Sequence, residues 1–233
     1  MNNNANTRTL LLLSPGIIWM TLFLMAPLIM MVYVSFWTQT TFTIKPDLTL
    51  QSWINFFNSD TYFGALLRTI RIWLTVLFIT FVIGYPVALF IGQFIKNKTL
   101  QTALLVTCVI PFWTSFLIRV LAWRPMLGKE GAINILLQKI GLINAPIEVL
   151  LFTELSVIIG MVQIYVVFMV GPIAFMIGRI DESLIESARD LGASAWFIFR
   201  KIILPLSMPG VIVGAIFVTV MVLGEFATAS ALS

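Results

Sequence analysis

The 233-residue sequence predicts an all-α membrane protein, one bundle of transmembrane helices occupying residues 1–233. Three observations carry that prediction. Hydrophobic residues form 60% of the chain and charged residues 10%, against about 25% charged in an average soluble domain. Mean hydropathy is +1.03. The charges are also spaced so that long apolar stretches separate them, each near the ~20 residues a helix needs to cross about 30 Å of hydrocarbon. Such a chain would leave apolar surface on every side of a water-soluble fold, which excludes soluble enzymes and disordered regulators. With no His and one Cys, His-based acid/base catalysis, Cys/His zinc sites and an intramolecular disulfide framework are excluded too. No catalytic residue and no metal ligand is expected. The net charge of +4 is spread without a block of like charges, so nucleic acid is not an expected partner.

Five spans follow in order. The first covers residues 12–37, with Pro27 as its kink. Its apolar run is too long for a signal-peptide core and no small-residue cleavage site follows it closely, so it reads as a retained helix. The second, 72–95, and the third, 99–118, are joined only by Lys96, Asn97 and Lys98 and form a tight helical hairpin. The fourth covers 149–178, with Glu154 near its start and expected to snorkel to the interface. The fifth, 210–232, carries Glu225. The Lys/Arg count is equal on the two sides, so charge asymmetry leaves orientation undecided. The short basic Lys96–Lys98 linker, and Trp37, Trp73 and Trp123 at span ends opposite it, favour a cytoplasmic N-terminus. Pro27, Pro86, Pro111 and Pro172 lie within spans, where freed carbonyls need other partners. Gly210 and Gly214 form a G-x-x-x-G packing motif too common to carry function. Cys108 reads as a small buried apolar side chain.

Residues 179–205 do not belong in lipid. Arg179 to Leu204 holds four basic and four acidic side chains among the chain's 24 charges. Ser183 followed by Glu186 fits a capping box and predicts a helix start. Gly192 is placed to end that helix in the left-handed conformation, and Ser194 to cap a second short helix. Pro205 is expected to disfavour helical geometry at Leu204 and to mark the exit into the fifth span. Cancelling charges give a DNA-reading helix-turn-helix no grip on phosphate. A connector lying flat on the bilayer could use Trp196, Phe197, Phe199 and Ile202. The caps, the turn and the slim Ser187, Ala188, Ala193 and Ala195 favour instead a compact protrusion that docks a cytosolic partner.

Glu186, Ser187, Ala188, Gly192, Phe199, Ile202, Leu204 and Pro205 resemble the E-A-A-x-x-x-G-x(6)-F-x-x-I-x-L-P loop of permease subunits in bacterial ABC importers, with Ser187 in place of the usual Ala. Gly84, Tyr85, Pro86 and Ala88 resemble the spermidine/putrescine branch of that family. So do Pro111, Phe112, Trp113, Thr114 and Ser115, then Arg119, Ala122, Trp123, Leu127, Gly128, Gly131 and Asn134, and finally Leu223, Gly224, Glu225 and Phe226. The resemblance implies a type I importer permease fold in the bacterial inner membrane, multi-pass with a cytoplasmic N-terminus. Five of the family's six spans are expected, the sixth lying beyond the Leu223 to Phe226 motif. It also implies a coupling helix-turn-helix at 179–205 that docks on a dimer of ATP-binding subunits.

The chain has no G-x-x-x-x-G-K-[ST] loop to cradle a nucleotide, so ATP and Mg are expected in that partner and no cofactor in this chain. A second, non-identical permease and a periplasmic substrate-binding protein complete the implied assembly. For the solute pathway, Glu225 is the first candidate, because an intramembrane charge is costly and needs a reason. It would either suit a cationic amine or pair with a basic residue of the second permease. Trp113 could offer a cation-π face, or serve in packing. Polyamines are the expected solute, with amino acids or another small solute as alternatives. An ion-coupled secondary transporter is the alternative from another class, with only Glu154 and Glu225 as intramembrane charges. An intramembrane protease would need a Ser/His pair, an Asp pair or a metal, but the chain has no His, its expected spans contain no Asp, and no G-x-S-x-G motif occurs.

Overall fold

The computed structural model describes residues 3–39, 44–114, 116–147, 150–225 and 227–232. Ser115, Val149 and Phe226 lie outside the described residues. The chain resolves into two compact units, Met1–Arg68 and Thr69–Ser233.

In the first unit, α1 (Asn3–Met20) continues through a π-helical turn, Thr21–Met25, into α2 (Ala26–Ser35). The wide turn ends two residues before Pro27, where it absorbs the ring and the missing N–H without breaking the rod. Leu12–Ser35 is long and apolar enough to span a bilayer. Two short antiparallel strands, β1 (Thr38–Gln39) and β2 (Ile44–Lys45), pair Thr38 with Lys45. The short helix α3 (Gln51–Asn58) follows.

The helix α4 (Asp60–Leu89) and the π-helical stretch Phe90–Phe94 form one 35-residue rod. The expected start at residue 72 is therefore corrected to Asp60. Arg68 and Arg71 stand on the helix itself, because a charge marks where hydrocarbon ends and a helix can run on into the headgroups. Trp73 is likewise well inside the rod rather than at its end.

The second unit is built on α8 (Glu154–Ile177) and α11 (Leu204–Leu223), which pack along their length. Val157, Met161, Ile164, Met169, Ile173 and Ile177 of α8 are buried, as are Val218 and Val222 of α11. Trp73 Nε1 donates to Thr219 Oγ1 at 3.0 Å, and the Tyr85 hydroxyl meets Ser207 Oγ at 2.8 Å. The higher number in α4 meets the lower in α11, so the two helices run antiparallel. Ser207 itself donates to the Leu204 carbonyl, so the Tyr85 hydroxyl is the donor to Ser207. Arg71 pairs with Glu154.

Asn97 caps α5 (Lys98–Val109), accepting from the backbone N–H of Thr99 and Leu100. The third predicted span is not one helix. After α5 the chain tightens into a 3₁₀ turn at Ile110–Trp113, and α6 (Phe116–Leu127) follows. Pro111 lacks the N–H that a continuing α-helix would use. Four helical rods among the described residues are long and apolar enough to cross a membrane: Leu12–Ser35, Asp60–Phe94, Glu154–Ile177 and Ala195–Leu223. Asn134, on α7 (Ala132–Lys139), is buried and holds the following loop by bonds to Gly128 O and to both the N–H and C=O of Ile147.

Two more expectations are corrected. The fourth span begins at Glu154, not 149, because Thr153 and Ser156 form a reciprocal cap there. Glu154 is consequently the first helical residue and the partner of Arg71 rather than a side chain reaching alone for the interface. The fifth span does not begin at 210. Helix α10 (Ala195–Ile198) passes through a π-helical turn, Phe199–Ile203, into α11 without interruption, and Leu204 is helical at φ −61 and ψ −49. As at Pro27, the wide turn ends two residues before the proline and accommodates Pro205. At the other end Gly224 closes α11, so 210–232 is divided into α11 and the short α12 (Ala227–Leu232).

Candidate functional site

Between Ile177 and the rod that begins at Ala195 lies a helix-turn-helix. Helix α9 (Glu182–Asp190) is capped by Asp181, whose carboxylate accepts from Ser183 N at 3.1 Å. The predicted cap at Ser183 is thus displaced by two residues: Asp181 is the stronger acceptor and Glu182 supplies a first-turn acid. The far end closes as predicted. Gly192 sits at φ +80, its N–H bonds to Arg189 O at 2.8 Å, and Ala193 N bonds to Ala188 O at 2.9 Å. This pair of bonds is a Schellman closure, which needs the left-handed glycine. Ser194 then caps α10 through Phe197 N at 3.2 Å.

At the turn, Ala188, Gly192, Ala193 and Ser194 line a shallow concavity between Leu191 and Phe197. Leu191 is 88% exposed. Glu186 and Ser187 are exposed on α9 and Ala188 is half-buried. Ile185 and Ile198 are buried and hold the two arms of the hairpin to the bundle. The Phe199 ring stands edge-on to Tyr85 with centroids 5.8 Å apart, which ties the rod to the Gly84–Ala88 stretch of α4. Lys96 pairs with Glu182 at 2.6 Å. The hydrogen bond and the charge of Glu182 hold the Lys96 ammonium above the usual lysine range. Ile202 and Leu204 are half-buried and Pro205 is exposed. The loop residues singled out in the sequence thus fall on one continuous structure.

Glu225 stands elsewhere. It follows the Gly224 end of α11 rather than lying inside a continuous helix, and its Oε1 accepts from Thr228 N at 2.8 Å, capping α12. Its other oxygen accepts from the Tyr165 hydroxyl of α8. The Arg119 guanidinium of α6 lies within electrostatic reach of Tyr165, and it also donates to Thr114 O at 3.0 Å. Trp113, on the 3₁₀ turn, is 79% exposed and is not brought against Glu225. Tyr165 went unnoticed in the sequence, although a lone phenol in the apolar run of α8 was the available signal. Lys96, Glu182 and Arg189 were noted only as charges.

The Tyr165–Glu225 bond joins α8 to the break after α11, and a hydrogen bond to a charged acceptor is worth about 1.5–3 kcal/mol. Tyr165→Phe is expected to lower stability by about that amount, read as a lower midpoint in thermal or denaturant unfolding in detergent. An unchanged midpoint would mean that the bond carries nothing.

Residues 81–233 match the family described as binding-protein-dependent transport system inner membrane component. The spermidine/putrescine transport system permease protein PotB of Escherichia coli (strain K12) is 36% identical over 209 residues, covering 89% of this chain and 74% of that protein. PotB of Haemophilus influenzae is 35% identical over 216 residues, covering 92% and 74%. Among solved structures, a bacterial ABC transporter involved in the import of the acidic polysaccharide alginate superposes with a TM-score of 0.64. It is 22% identical and covers 98% of this chain and 82% of that one, a likeness of fold.

Proposed function

The chain belongs to the family of inner membrane components of binding-protein-dependent transport systems, and from that premise we propose that it forms half of a polyamine pathway driven through residues 179–205. It is a permease subunit of an ABC importer, a multi-pass inner-membrane protein that is a transport component rather than an enzyme. Family membership decides against an ion-coupled secondary transporter. An importer of this kind works with an ATPase, a second permease and a substrate-binding protein.

The observation that carries the proposal is the exposed Leu191 at the tip of a turn closed at both ends by caps. A large apolar side chain held in water by a rigid turn is suited to a pocket on another protein. We assign that pocket to a dimer of ATP-binding subunits, which binds ATP and Mg, with Glu186, Ser187, Ala188 and Gly192 at the contact. The loop side is then cytoplasmic, as is the N-terminus. Phe199, Ile202, Leu204 and Pro205 lie on the rod Ala195–Leu223, whose 29 residues span about 43 Å at 1.5 Å per residue. Closure of the ATPase dimer would displace the turn, and the rod would carry that displacement to Gly224 and Glu225. Opening and closing the helix break there would alternate access to the pathway.

Polyamines are proposed as the solute because a carboxylate at the break offers an organic ammonium a partner, and the exposed Trp113 offers a cation-π face. The second permease and a periplasmic binding protein supply the rest of the pathway. Glu225→Gln keeps one acceptor oxygen for Thr228 N, turns an amide N–H donor toward the Tyr165 hydroxyl, and removes the charge. In proteoliposomes holding the full complex, this variant is expected to reduce spermidine and putrescine uptake about tenfold or more, the equivalent of ~1.4 kcal/mol. Wild-type uptake by the variant would remove Glu225 from the pathway. Uptake of amino acids but not polyamines by the unaltered complex would overturn the solute class.

A further inference from the structure

On the bundle side of the helix-turn-helix, a cleft of about 640 Å³ lies between α9, the start of the rod at Ala195 and the end of α4. Its floor is apolar: Leu89, Phe94, Ile185, Trp196, Phe199 and Ile203. Its rim carries Lys96 and Arg189 against Glu182 and Glu186, two charges of each sign. The Lys96 ammonium senses all three of the other charges, which places the four in one field. The cleft is also the end of a longer feature. Phe78, Val82, Phe90 and Phe94 are exposed on α4 and its π-helical extension, spaced in steps of four and eight, and run down the rod to the cleft mouth. Phe90 and Phe94 stack with centroids 6.2 Å apart.

We propose that this cleft binds a membrane phospholipid whose headgroup joins a phosphate to a primary ammonium. One acyl chain would lie along the exposed stripe of α4 and the headgroup would sit at the rim. The balance of charge selects this chemistry. A purely anionic headgroup meets carboxylates as well as cations, whereas an ammonium beside a phosphate finds a partner of each sign: Lys96 and Arg189 for the phosphate, Glu182 for the ammonium. The primary ammonium also has N–H donors for that carboxylate, which a quaternary choline lacks. The apolar floor continues into a stripe on a membrane-spanning rod, and lipid tails cover such a stripe directly. Bound there, the lipid would brace α9 and the rod against the end of α4.

The test uses the assembled transporter in nanodiscs made with tail-brominated phospholipids. Quenching at the cleft is the difference between the unaltered complex and Trp196→Phe. Ethanolamine-headgroup lipid is expected to quench that component with an apparent affinity about two- to fivefold higher than glycerol- or choline-headgroup lipid of the same tails, the range set by one or two exposed charge contacts. Glu182→Gln should abolish the preference and Glu182→Asp should retain it, whereas Lys96→Gln should weaken all three headgroups alike, since each carries the phosphate. Equal quenching by all three headgroups, or no quenching of Trp196 by any, would overturn the proposal. Quenching that appears only after the ATPase subunits are stripped would give the cleft to that protein instead, and would overturn it too.

Discussion

Gly192→Pro is expected to bring ATP-driven uptake to background while leaving the membrane-spanning helices folded. Gly192 stands at φ +80, and proline is locked near φ −65, so the substituted turn cannot form. The same change deletes the N–H that bonds to Arg189 O and displaces the Ala193 N to Ala188 O bond beside it. Both bonds of the Schellman closure are lost. Nothing lies within 4 Å of a Cβ at this position, so no packing contact is sacrificed and the damage stays local. With the turn reshaped, Leu191 no longer presents at the tip, and the proposed ATPase contact loses its geometry. A graded series separates this cause from a general defect. Gly192→Asn should retain most uptake, because Asn tolerates the left-handed region, and Gly192→Ala should fall between, with a penalty of about 1–2 kcal/mol. Uptake and stimulated ATP hydrolysis are measured on the full complex in proteoliposomes, with unfolding of the purified complex as the fold control. Normal uptake by the proline variant would refute the role given to the turn.

The features that the sequence made legible are those in which one residue type has one local consequence. Ser194 caps where expected and Gly192 turns where expected, because each acts on backbone groups two or three positions away. The apolar core of each rod was legible for a similar reason: about 20 residues between charges reflect the thickness of hydrocarbon. Rod ends were less so, since Asp60–Phe94 carries Arg68 and Arg71 on helix that continues beyond that thickness. Prolines are the least legible positions. Pro111 coincides with a break, yet Pro27 and Pro205 are each preceded by a π-helical turn and the rod continues. The missing N–H is the same at all three; what differs is whether a π-helical turn takes up the ring, and no local residue pattern marks that in advance. The same holds for Tyr165 with Glu225 and Tyr85 with Ser207, pairs separated by 60 and 122 positions. No local pattern marks a contact at that distance along the chain.

The small residues of α11 that the sequence left without functional weight prove to set the approach of its two central helices, and Gly210→Val is expected to lower stability more than any other single substitution considered. A Cβ at Gly210 would stand 2.6 Å from the Pro172 carbonyl oxygen and 3.0 Å from Ile173 Cα. Both are backbone atoms of α8, so no side-chain rotation relieves the clash and the helices must part. Gly214, a turn further on, faces the Phe168 carbonyl, which is the one that Pro172 leaves without its usual helical donor. Close approach of a glycine Cα–H gives that carbonyl a weak partner, as recurs at helix interfaces in membranes. Separation would therefore cost dispersion along the seam from Ile173 to Val218 and would leave the freed carbonyl in hydrocarbon. Gly210→Ala is expected to lower stability by about 1–3 kcal/mol, the range for one overpacked methyl, and Gly210→Val by at least that much. Gly171→Ala is the control. It lies on the same helix pair with nothing within 4 Å of its Cβ, so its unfolding midpoint should match or exceed that of the unaltered protein, alanine being the better helix former. Equal midpoints for Gly210→Val and Gly171→Ala would mean that α8 and α11 do not meet at Gly210. The rod proposed to transmit motion would then lack its bearing surface, because it is against α8 that Ala195–Leu223 must slide or tilt.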